Sequence, residues 1–154
     1  MMHVGLGWDL HRLEAGRPLI LAGVEVPSPA GAIGDSDADV VLHAIIDGVL
    51  GAMAWGDIGS WFPREAVAAG QPSGALLARV MERLAAAGGA VAHVDVTIVL
   101  EAPRLASYRP ALTASLARQL PGAVVSVKFK TQDGIGEVGR GEAVACWASV
   151  TVDA

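Results

Sequence analysis

The chain has 154 residues, of which 53% are hydrophobic and 18% charged, and its formal net charge is -5. This length provides one substantial hydrophobic core, so we expect residues 1–154 to form a single domain. The negative charge and the lack of a lysine and arginine cluster argue against a nucleic-acid surface, and no apolar run approaches the roughly 18 residues of a membrane helix.

The first third of the chain is predicted to contain a strand, a hairpin and a long helix. Residues 4–12 are typical of a strand, and residues 18–27 of a short hairpin bounded by prolines. Asp35 or Ser36 is expected to cap a helix that continues to about residue 55. The N-terminus has no export-signal pattern, from which we expect a cytoplasmic location.

The remaining two thirds of the chain mixes strands and helices without strict alternation. The predicted elements are helices at 73–87 and 110–120 and strands at 91–100, 124–130 and 142–152. The single cysteine, Cys146, lies in the last of these strands and is expected to be a packed thiol rather than a nucleophile. The pattern favours an α+β fold, with helices packed on one face of a mixed sheet and the other face free to pack on sister subunits.

Asp9 and His11 lie two residues apart in the first predicted strand. Side chains alternate between the two faces of a strand, so this carboxylate and imidazole share one face while Leu10 points into the core. A third ligand would complete a site of three protein ligands, which leaves the fourth position of a catalytic zinc ion open. His43 is the candidate, although an Asp-x-His spacing alone is weak evidence because such pairs often arise by chance.

A polar stripe crosses the otherwise apolar helix that contains His43. Asp39, His43 and Asp47 are spaced at i, i+4 and i+8, which places them on one helix face. Such a stripe is costly to bury unless it is paired, bound to a metal or hydrated. Two interpretations stay open: the acidic residues cap the helix start, or they belong to a functional site that includes His43.

Six motifs follow one another along nearly the whole chain: GLGWDLHRL, PLILAGVEVPSPAGAIGDSDADVVLHAIIDGVLGA, GDIGSWFP, VDVTIVLEAPRL, KFKTQDGIG and GRGEAVAC. In content, order and separation they resemble the 2-C-methyl-D-erythritol 2,4-cyclodiphosphate synthase family of the non-mevalonate isoprenoid pathway. The combination is far more specific than any one motif.

The resemblance implies a zinc ion held by Asp9, His11 and His43, and a homotrimer with active sites between neighbouring subunits. The implied substrate is 4-diphosphocytidyl-2-C-methyl-D-erythritol 2-phosphate, whose 2-phosphate attacks the β-phosphorus of its own diphosphate. CMP leaves and a cyclic diphosphate closes. Such a transfer depends on positioning and charge neutralisation, which suits two metal ions. The second ion, Mg²⁺ or Mn²⁺, is implied to bind Asp133, because hard cations prefer oxygen ligands.

The resemblance also implies the residues that contact the substrate. Thr131 corresponds to a hydroxyl that contacts the diphosphate, and Asp35 stands at the position of a catalytic histidine. Residues 57–59 correspond to the loop that holds the methylerythritol, and residues 102–105 to the loop that reads the base through backbone groups. The implied contacts are Asp9, His11, Asp35, Ser36, Asp57, Ile58, Gly59, Ala102, Pro103, Arg104, Leu105, Lys130, Thr131, Gln132, Asp133 and Arg140.

The chain departs from the family pattern at three places. Asp35 replaces a histidine of the phosphate site, and an ionised carboxylate cannot donate a hydrogen bond and repels an anionic substrate. Asp35 is therefore expected to swing away, to bind a metal or to weaken turnover. Asp133 is one methylene shorter than the family's glutamate, which lowers the expected affinity for the second metal. Residues 64–67 replace an Asp-Thr-Asp-Pro segment that lines the substrate.

Two other functions fit the same residues. One is a diverged, catalytically weak trimer that binds nucleotide or an isoprenoid diphosphate. The other is a zinc hydrolase, in which metal-bound hydroxide attacks the diphosphate. Asp57 and Asp133 also have a simpler interpretation as turn residues, and Arg140 as a solvated charge. The residues and the resemblance together favour the metal-dependent synthase.

Overall fold

The computed structural model describes all residues, Met1–Ala154. The strands are β1 Met2–Ala15, β2 Leu19–Leu21, β3 Val24–Val26, β4 Ala30–Ala32, β5 Ala90–Val99, β6 Val124–Lys130 and β7 Ala143–Asp153. The helices are α1 Val40–Ala52, α2 Ile58–Trp61, α3 Ser73–Ala86, α4 Arg109–Gln119 and α5 Gly136–Gly139, and short 3-10 turns span Arg64–Ala66 and Ala106–Tyr108. None of these helices is long and apolar enough to cross a membrane.

Five strands form one mixed sheet in the order β4-β1-β7-β5-β6. β7 pairs antiparallel with both β1 and β5, whereas β5 and β6 are parallel. β2 and β3 form the predicted hairpin outside this sheet. α1 lies across β1 and β7, α3 packs against α1, and α4 packs against β6. The prediction of an α+β fold built on a mixed sheet is confirmed.

Glycine allows α1 to lie directly on β1. Gly5 and Gly7 are buried, and a Cβ atom added to Gly7 would lie 1.8 Å from the carbonyl oxygen of Ala44. A Cβ atom on Gly48 would lie 2.5 Å from Cγ2 of Val150. A side chain at these positions would force the helix away from the sheet. The strand and the helix that carry the predicted metal ligands are therefore in backbone contact.

The opposite face of β1 carries an apolar stripe, defined here as Met2, Val4, Leu6, Trp8 and Trp147. The four β1 residues are exposed, Leu6 by 72%. Trp8 pairs across the sheet with Trp147 of β7, and their ring centroids lie 6.0 Å apart. A contiguous apolar surface of this kind is typical of an interaction site.

Leu10 points into a hydrophobic cluster, as predicted, but this cluster is separate from the main core. Leu10 alternates with the helix-facing residues and packs against a separate cluster of four buried residues, Val99, Val138, Ala143 and Ala145. On β1, glycines occupy the positions that face the main core. They do so because α1 approaches the strand too closely for larger side chains there.

The start of α1 also differs from the prediction. The helix begins at Val40 and its N-cap is Asp39, so neither Asp35 nor Ser36 caps it. Ala38 has a φ of 56°, a left-handed conformation that interrupts the helical path just before Asp39. The Ser36 hydroxyl instead accepts a hydrogen bond from the Ala38 amide at 3.2 Å.

The remaining elements follow the predictions closely. The strand predicted at 124–130 is β6, and the predicted helix at 73–87 is α3. β4, α2 and α5 lie outside the predicted strands and helices and contain only three or four residues each. Cys146 is buried in β7, where burial raises the pKa of its thiol well above the usual value. The prediction of a packed thiol is therefore confirmed.

Candidate functional site

Asp9, His11 and His43, called the triad below, meet where β1 contacts α1. His43 Nδ1 lies 3.0 Å from Asp9 Oδ2. His11 Nε2 lies 2.9 Å from the same oxygen and 3.1 Å from His43 Nδ1. Each residue offers one ligand atom, and these atoms are close enough together to hold one cation. The structure thus brings together the three ligands that the sequence suggested.

Hydrogen bonds on the far side of each imidazole define its orientation. His11 Nδ1 lies 2.8 Å from the carbonyl oxygen of Ile33, which can only accept, so Nδ1 carries a proton. His43 Nε2 lies 2.9 Å from Ser73 Oγ, and Ser73 donates its own proton to Asp37. Ser73 Oγ therefore accepts from His43 Nε2. These partners direct His11 Nε2 and His43 Nδ1 toward a cation, as outer hydrogen bonds do in metal sites.

The contacts within the triad shift the pKa values of Asp9 and His11. Burial opposes the ionisation of Asp9, but hydrogen bonds from His11 and His43 outweigh burial and hold the pKa of Asp9 well below its usual range. Burial likewise opposes the charged form of His11, yet the Asp9 carboxylate raises the pKa of His11 above its usual value. A cation at this site would displace the shared protons, because metal ligands bind in their deprotonated forms.

The triad lines a cavity of about 330 Å³, called the triad cavity. Ile58 and Gly59 of α2 form part of its wall, as do Asp35 and Ser36 from the turn before α1. Asp35 does not join the triad, because its Oδ1 accepts a hydrogen bond from Arg64 Nε at 2.9 Å. The predicted methylerythritol loop and the predicted phosphate-site residues therefore border the same cavity.

Asp47 of the polar stripe and the nearby Asp57 both have structural partners. Asp47 Oδ1 accepts from the Ile58 amide at 2.7 Å, which fixes the start of α2, and burial raises the pKa of Asp47. Asp57 lies just outside the cavity lining as the N-cap of α2, where it accepts from the Ser60 amide at 2.8 Å. Hydrogen bonds with Ser60 lower the pKa of Asp57. Both carboxylates thus hold the segment that carries Ile58 and Gly59.

Asp39 caps α1 and ties the β2–β3 hairpin to it. Its Oδ1 accepts from the amides of Ala22, Val41 and Leu42, and its Oδ2 accepts from the amide of Gly23. Asp39 is completely buried, and this burial raises its pKa to about 6. Asp39 therefore caps the helix, whereas His43 belongs to the candidate functional site.

The predicted cytidine loop lines a second cavity of about 370 Å³, called the loop cavity. Pro103, Arg104 and Leu105 follow β5 on one side. On the other side Lys130 ends β6 and Thr131 follows it. The triad cavity and the loop cavity share no lining residue. Within one chain, the candidate metal ligands and the candidate nucleotide residues therefore belong to separate cavities.

Glu101 joins the two loops of the loop cavity, a role that sequence reasoning missed. Its carboxylate accepts from the Gln132 amide at 3.0 Å and from the Gly134 amide at 3.2 Å. Ala102 follows Glu101 directly, so the cytidine loop and the loop after β6 are held side by side. The available signal was an acidic residue at a strand end, since the amides of a glycine-rich loop need acceptors.

Two predicted phosphate and metal residues lie on exposed loops outside the triad. Asp133 has a φ of 53°, and its Oδ1 accepts from Thr131 Oγ1 at 3.4 Å. Arg140 donates two hydrogen bonds to Glu142, at 3.0 and 3.2 Å, and lines neither cavity. The metal role of Asp133 and the phosphate role of Arg140 stay predictions.

Comparisons with known proteins identify relatives of the whole chain. Residues 2–153 match the model of the YgbB family. The chain is 49% identical over 154 residues to the 2-C-methyl-D-erythritol 2,4-cyclodiphosphate synthase of Salinibacter ruber, and the match covers 98% of each chain.

Solved structures agree with these sequence matches. A CDP-bound 2C-methyl-D-erythritol-2,4-cyclodiphosphate synthase is 36% identical with a TM-score of 0.86, over 97% of this chain and 99% of that one. The bifunctional IspDF protein from Campylobacter jejuni is 30% identical with a TM-score of 0.93, over 99% of this chain and 42% of that one. These matches confirm the resemblance inferred from the motifs: the chain belongs to the YgbB family of 2-C-methyl-D-erythritol 2,4-cyclodiphosphate synthases.

Proposed function

We propose that the protein converts 4-diphosphocytidyl-2-C-methyl-D-erythritol 2-phosphate into 2-C-methyl-D-erythritol 2,4-cyclodiphosphate and CMP. The observation that carries this proposal is the triad on the wall of a cavity, in a chain that is 49% identical to a synthase of that name. Zn²⁺ is the cation proposed for the triad, because two imidazoles and one carboxylate leave it an open coordination position. When bound, the ion supplies Lewis-acid polarisation of a phosphate oxygen.

The chain's own residues contribute mainly by positioning. The attacking 2-phosphate oxygen is already anionic, so ring closure requires alignment of two phosphates rather than a general base. Ile58 and Gly59 border the triad and hold the methylerythritol portion between the two phosphates. In the loop cavity, residues 102–105 bind cytosine through backbone groups. Thr131 contacts the diphosphate.

The second cation is proposed to bind at the loop after β6. The Asp133 carboxylate is exposed there, beside Thr131, and hard cations such as Mg²⁺ or Mn²⁺ prefer oxygen ligands. Lys130 and Gln132 flank the same position and complete the proposed diphosphate contacts. This cation and Lys130 would neutralise the charge of the leaving CMP.

We further propose that the protein is a homotrimer, with each active site formed between two subunits. The exposed apolar stripe supports this, because burial against sister subunits removes that surface from water. The two separate cavities also support it, because they share no lining residue and one subunit could supply the triad cavity while its neighbour supplies the loop cavity.

The reaction is tested by ³¹P NMR of the substrate incubated with the purified protein, Zn²⁺ and Mg²⁺. We expect CMP and the cyclic diphosphate to appear together, and a chelator-treated sample to form neither. A linear product that contains oxygen from solvent would instead identify a hydrolase. Nucleotide binding without CMP release would identify a diverged binding protein.

The shared site is tested by mixing two inactive variants. His43→Ala removes a triad ligand, and Asp133→Ala removes the proposed ligand of the second metal. The two variants are unfolded and refolded together at equal amounts. About a quarter of the interfaces would then combine the intact triad of Asp133→Ala with the intact loop cavity of His43→Ala. Recovery of about a quarter of the parent activity is expected. No recovery, with mixed trimers demonstrated by mass spectrometry, would contradict a site between subunits.

A further inference from the structure

Arg64 is the only lysine or arginine in the lining of the triad cavity. The other fixed charges of this lining are the carboxylates of Asp9 and Asp35, so the lining has a small net negative charge. A divalent cation at the triad would make the balance positive, and loss of Arg64 would cancel that positive charge. Arg64 therefore decides whether the metal-loaded cavity attracts an anion.

Asp35 orients Arg64. The ion pair uses the Nε of the guanidinium at 2.9 Å and leaves both terminal amino groups outside this bond. The side chains of Arg64 and Asp35 are 83% and 46% exposed, and an ion pair at such exposure adds little to stability. The ion pair therefore serves to orient Arg64, because it holds the terminal amino groups of the guanidinium where they can bind a second oxyanion.

Backbone hydrogen bonds hold the segment that carries Arg64 close to the triad. Arg64 begins a 3-10 turn, and the chain beyond it returns to the turn that precedes α1. The Gly70 amide donates to the Asp35 carbonyl at 3.1 Å, and the Asp37 amide donates to the Gln71 carbonyl at 3.0 Å. The position of Arg64 is therefore coupled to the start of the helix that carries His43.

We propose that Arg64, oriented by Asp35, positions the phosphate oxygens of the substrate at the triad cavity. This inference rests on the proposed function, which supplies a diphosphate as the ligand. It explains how a carboxylate can border an anion site, since Arg64 neutralises Asp35 and its planar guanidinium matches phosphate geometry. Asp35 then acts as a positioning residue for the arginine and contacts no substrate atom itself.

The test is equilibrium binding of the cyclic diphosphate product to zinc-loaded protein, measured by calorimetry. This ligand carries the phosphates without a nucleotide. We expect Arg64→Gln to weaken binding about 10-fold to 100-fold, and Arg64→Lys to fall between the parent and Arg64→Gln because an ammonium lacks the planar fork. Arg118→Gln changes an exposed arginine of α4 and should bind like the parent. All four proteins should keep the same zinc content and thermal midpoint.

Asp35→Ala should change the affinity for the product in opposite directions in two backgrounds. In the parent background it should weaken product binding, because Arg64 loses its support. In the Arg64→Gln background it should strengthen binding, because it removes a carboxylate that nothing neutralises. A purely structural role for the pair would lower the thermal midpoint and leave the affinities unchanged.

The outcomes separate this inference from the proposed function. Equal affinities of the parent and Arg64→Gln would overturn the role of Arg64, whether or not the parent turns over substrate. If the parent forms no CMP and no cyclic product, the proposed function fails, while an affinity loss in Arg64→Gln still supports Arg64 as the residue that positions the anion. Absence of product binding by the zinc-loaded parent would overturn the role of Arg64, whereas the proposed function is decided by formation of CMP and the cyclic product.

Discussion

The triad cavity and the loop cavity are built in different ways. The triad cavity takes its chemical groups from side chains on β1 and α1, which the glycines of β1 hold in backbone contact. The loop cavity lies between two connecting segments, which Glu101 joins through main-chain amides. A metal site requires ligand atoms at narrowly defined positions, which regular elements provide. Recognition of a base by backbone groups is a task that connecting loops can perform.

Because of this difference, we expect that a substitution can impair one cavity of the folded chain and leave the other cavity intact. Changes around the triad should remove the cation and leave nucleotide affinity intact. Changes at the loops should lower nucleotide affinity and leave the cation in place. Five substitutions test this separation, and the expected effects decrease from the first to the last.

His43→Ala should abolish stoichiometric zinc, because two remaining ligands cannot hold the ion at ordinary concentrations. Zinc is measured by elemental analysis after dialysis. The affinity for CMP, which lacks the β-phosphate, should stay within about twofold of the parent value by calorimetry. His93→Ala, which lies in neither cavity lining, is the matched control. Full zinc occupancy in His43→Ala would contradict the assignment of His43 as a zinc ligand.

Gly7→Ala should destabilise the protein by about 3 kcal/mol and lower its zinc affinity, because the new methyl group would overlap the Ala44 carbonyl and push α1 away from β1. Gly51→Ala is the control, since nothing lies within 4 Å of a Cβ atom there. It should be neutral or stabilising, as alanine is the better helix former. Calorimetric thermal midpoints at one protein concentration measure both effects, and equal midpoints for the two variants would refute the backbone-contact argument.

Ser73→Ala should lower zinc affinity about 10-fold to 100-fold, because His43 Nε2 loses the nearer of its two hydroxyl partners, at 2.9 Å, and keeps only Ser36 Oγ at 3.2 Å. Competition with a chromogenic chelator measures this affinity. Ser107→Ala, on an exposed 3-10 turn, should bind zinc like the parent. If the two variants have the same zinc affinity, the hydrogen bond from His43 to Ser73 does not support the metal site.

Glu101→Ala should weaken CDP binding about tenfold, because the amides of Gln132 and Gly134 lose their shared acceptor and the two loops separate. Zinc content should not change. Glu82→Ala removes an exposed carboxylate of α3 and serves as the control. A loss of zinc in Glu101→Ala would show that the two cavities are coupled.

The smallest expected effect concerns His11 in zinc-free protein. Its pKa lies above the usual value because the Asp9 carboxylate outweighs burial. In Asp9→Asn the effects of burial, the Ile33 carbonyl contact and the Asp39 charge remain while the Asp9 charge is lost, so the NMR titration midpoint of His11 should move to lower pH. In the parent, protonated His11 stabilises the folded state fully below about pH 6.5, and this contribution is lost as pH rises through the raised pKa. An unchanged midpoint in the variant would contradict the coupling.

Much of the triad was predictable from local pattern. Strand alternation placed Asp9 and His11 on one face, and helical spacing put His43 in a stripe with Asp39 and Asp47. The same patterns could not assign Asp39, because two of its donors, Ala22 and Gly23, belong to a hairpin well before it in the chain. They also could not show that Leu10 packs in a cluster separate from the main core, because periodicity does not reveal which face of a strand a helix will cover.

The loop cavity was predictable only through the family resemblance. Residues 102–105 have no periodicity or ligand chemistry that points to a nucleotide, and the role of Glu101 depends on amides far along the chain. The pairing of Asp35 with Arg64 was likewise missed, since neither residue indicates its partner from local sequence.

The sequence by itself determined the types of metal ligand, the glycines of β1 and the order of strands and helices, because these depend on residue chemistry and short-range spacing. Only the tertiary structure decided which carboxylate caps a helix, which joins the triad and which supports an arginine. Those roles depend on hydrogen-bond partners that are distant in sequence and become neighbours only when α1 packs on the sheet.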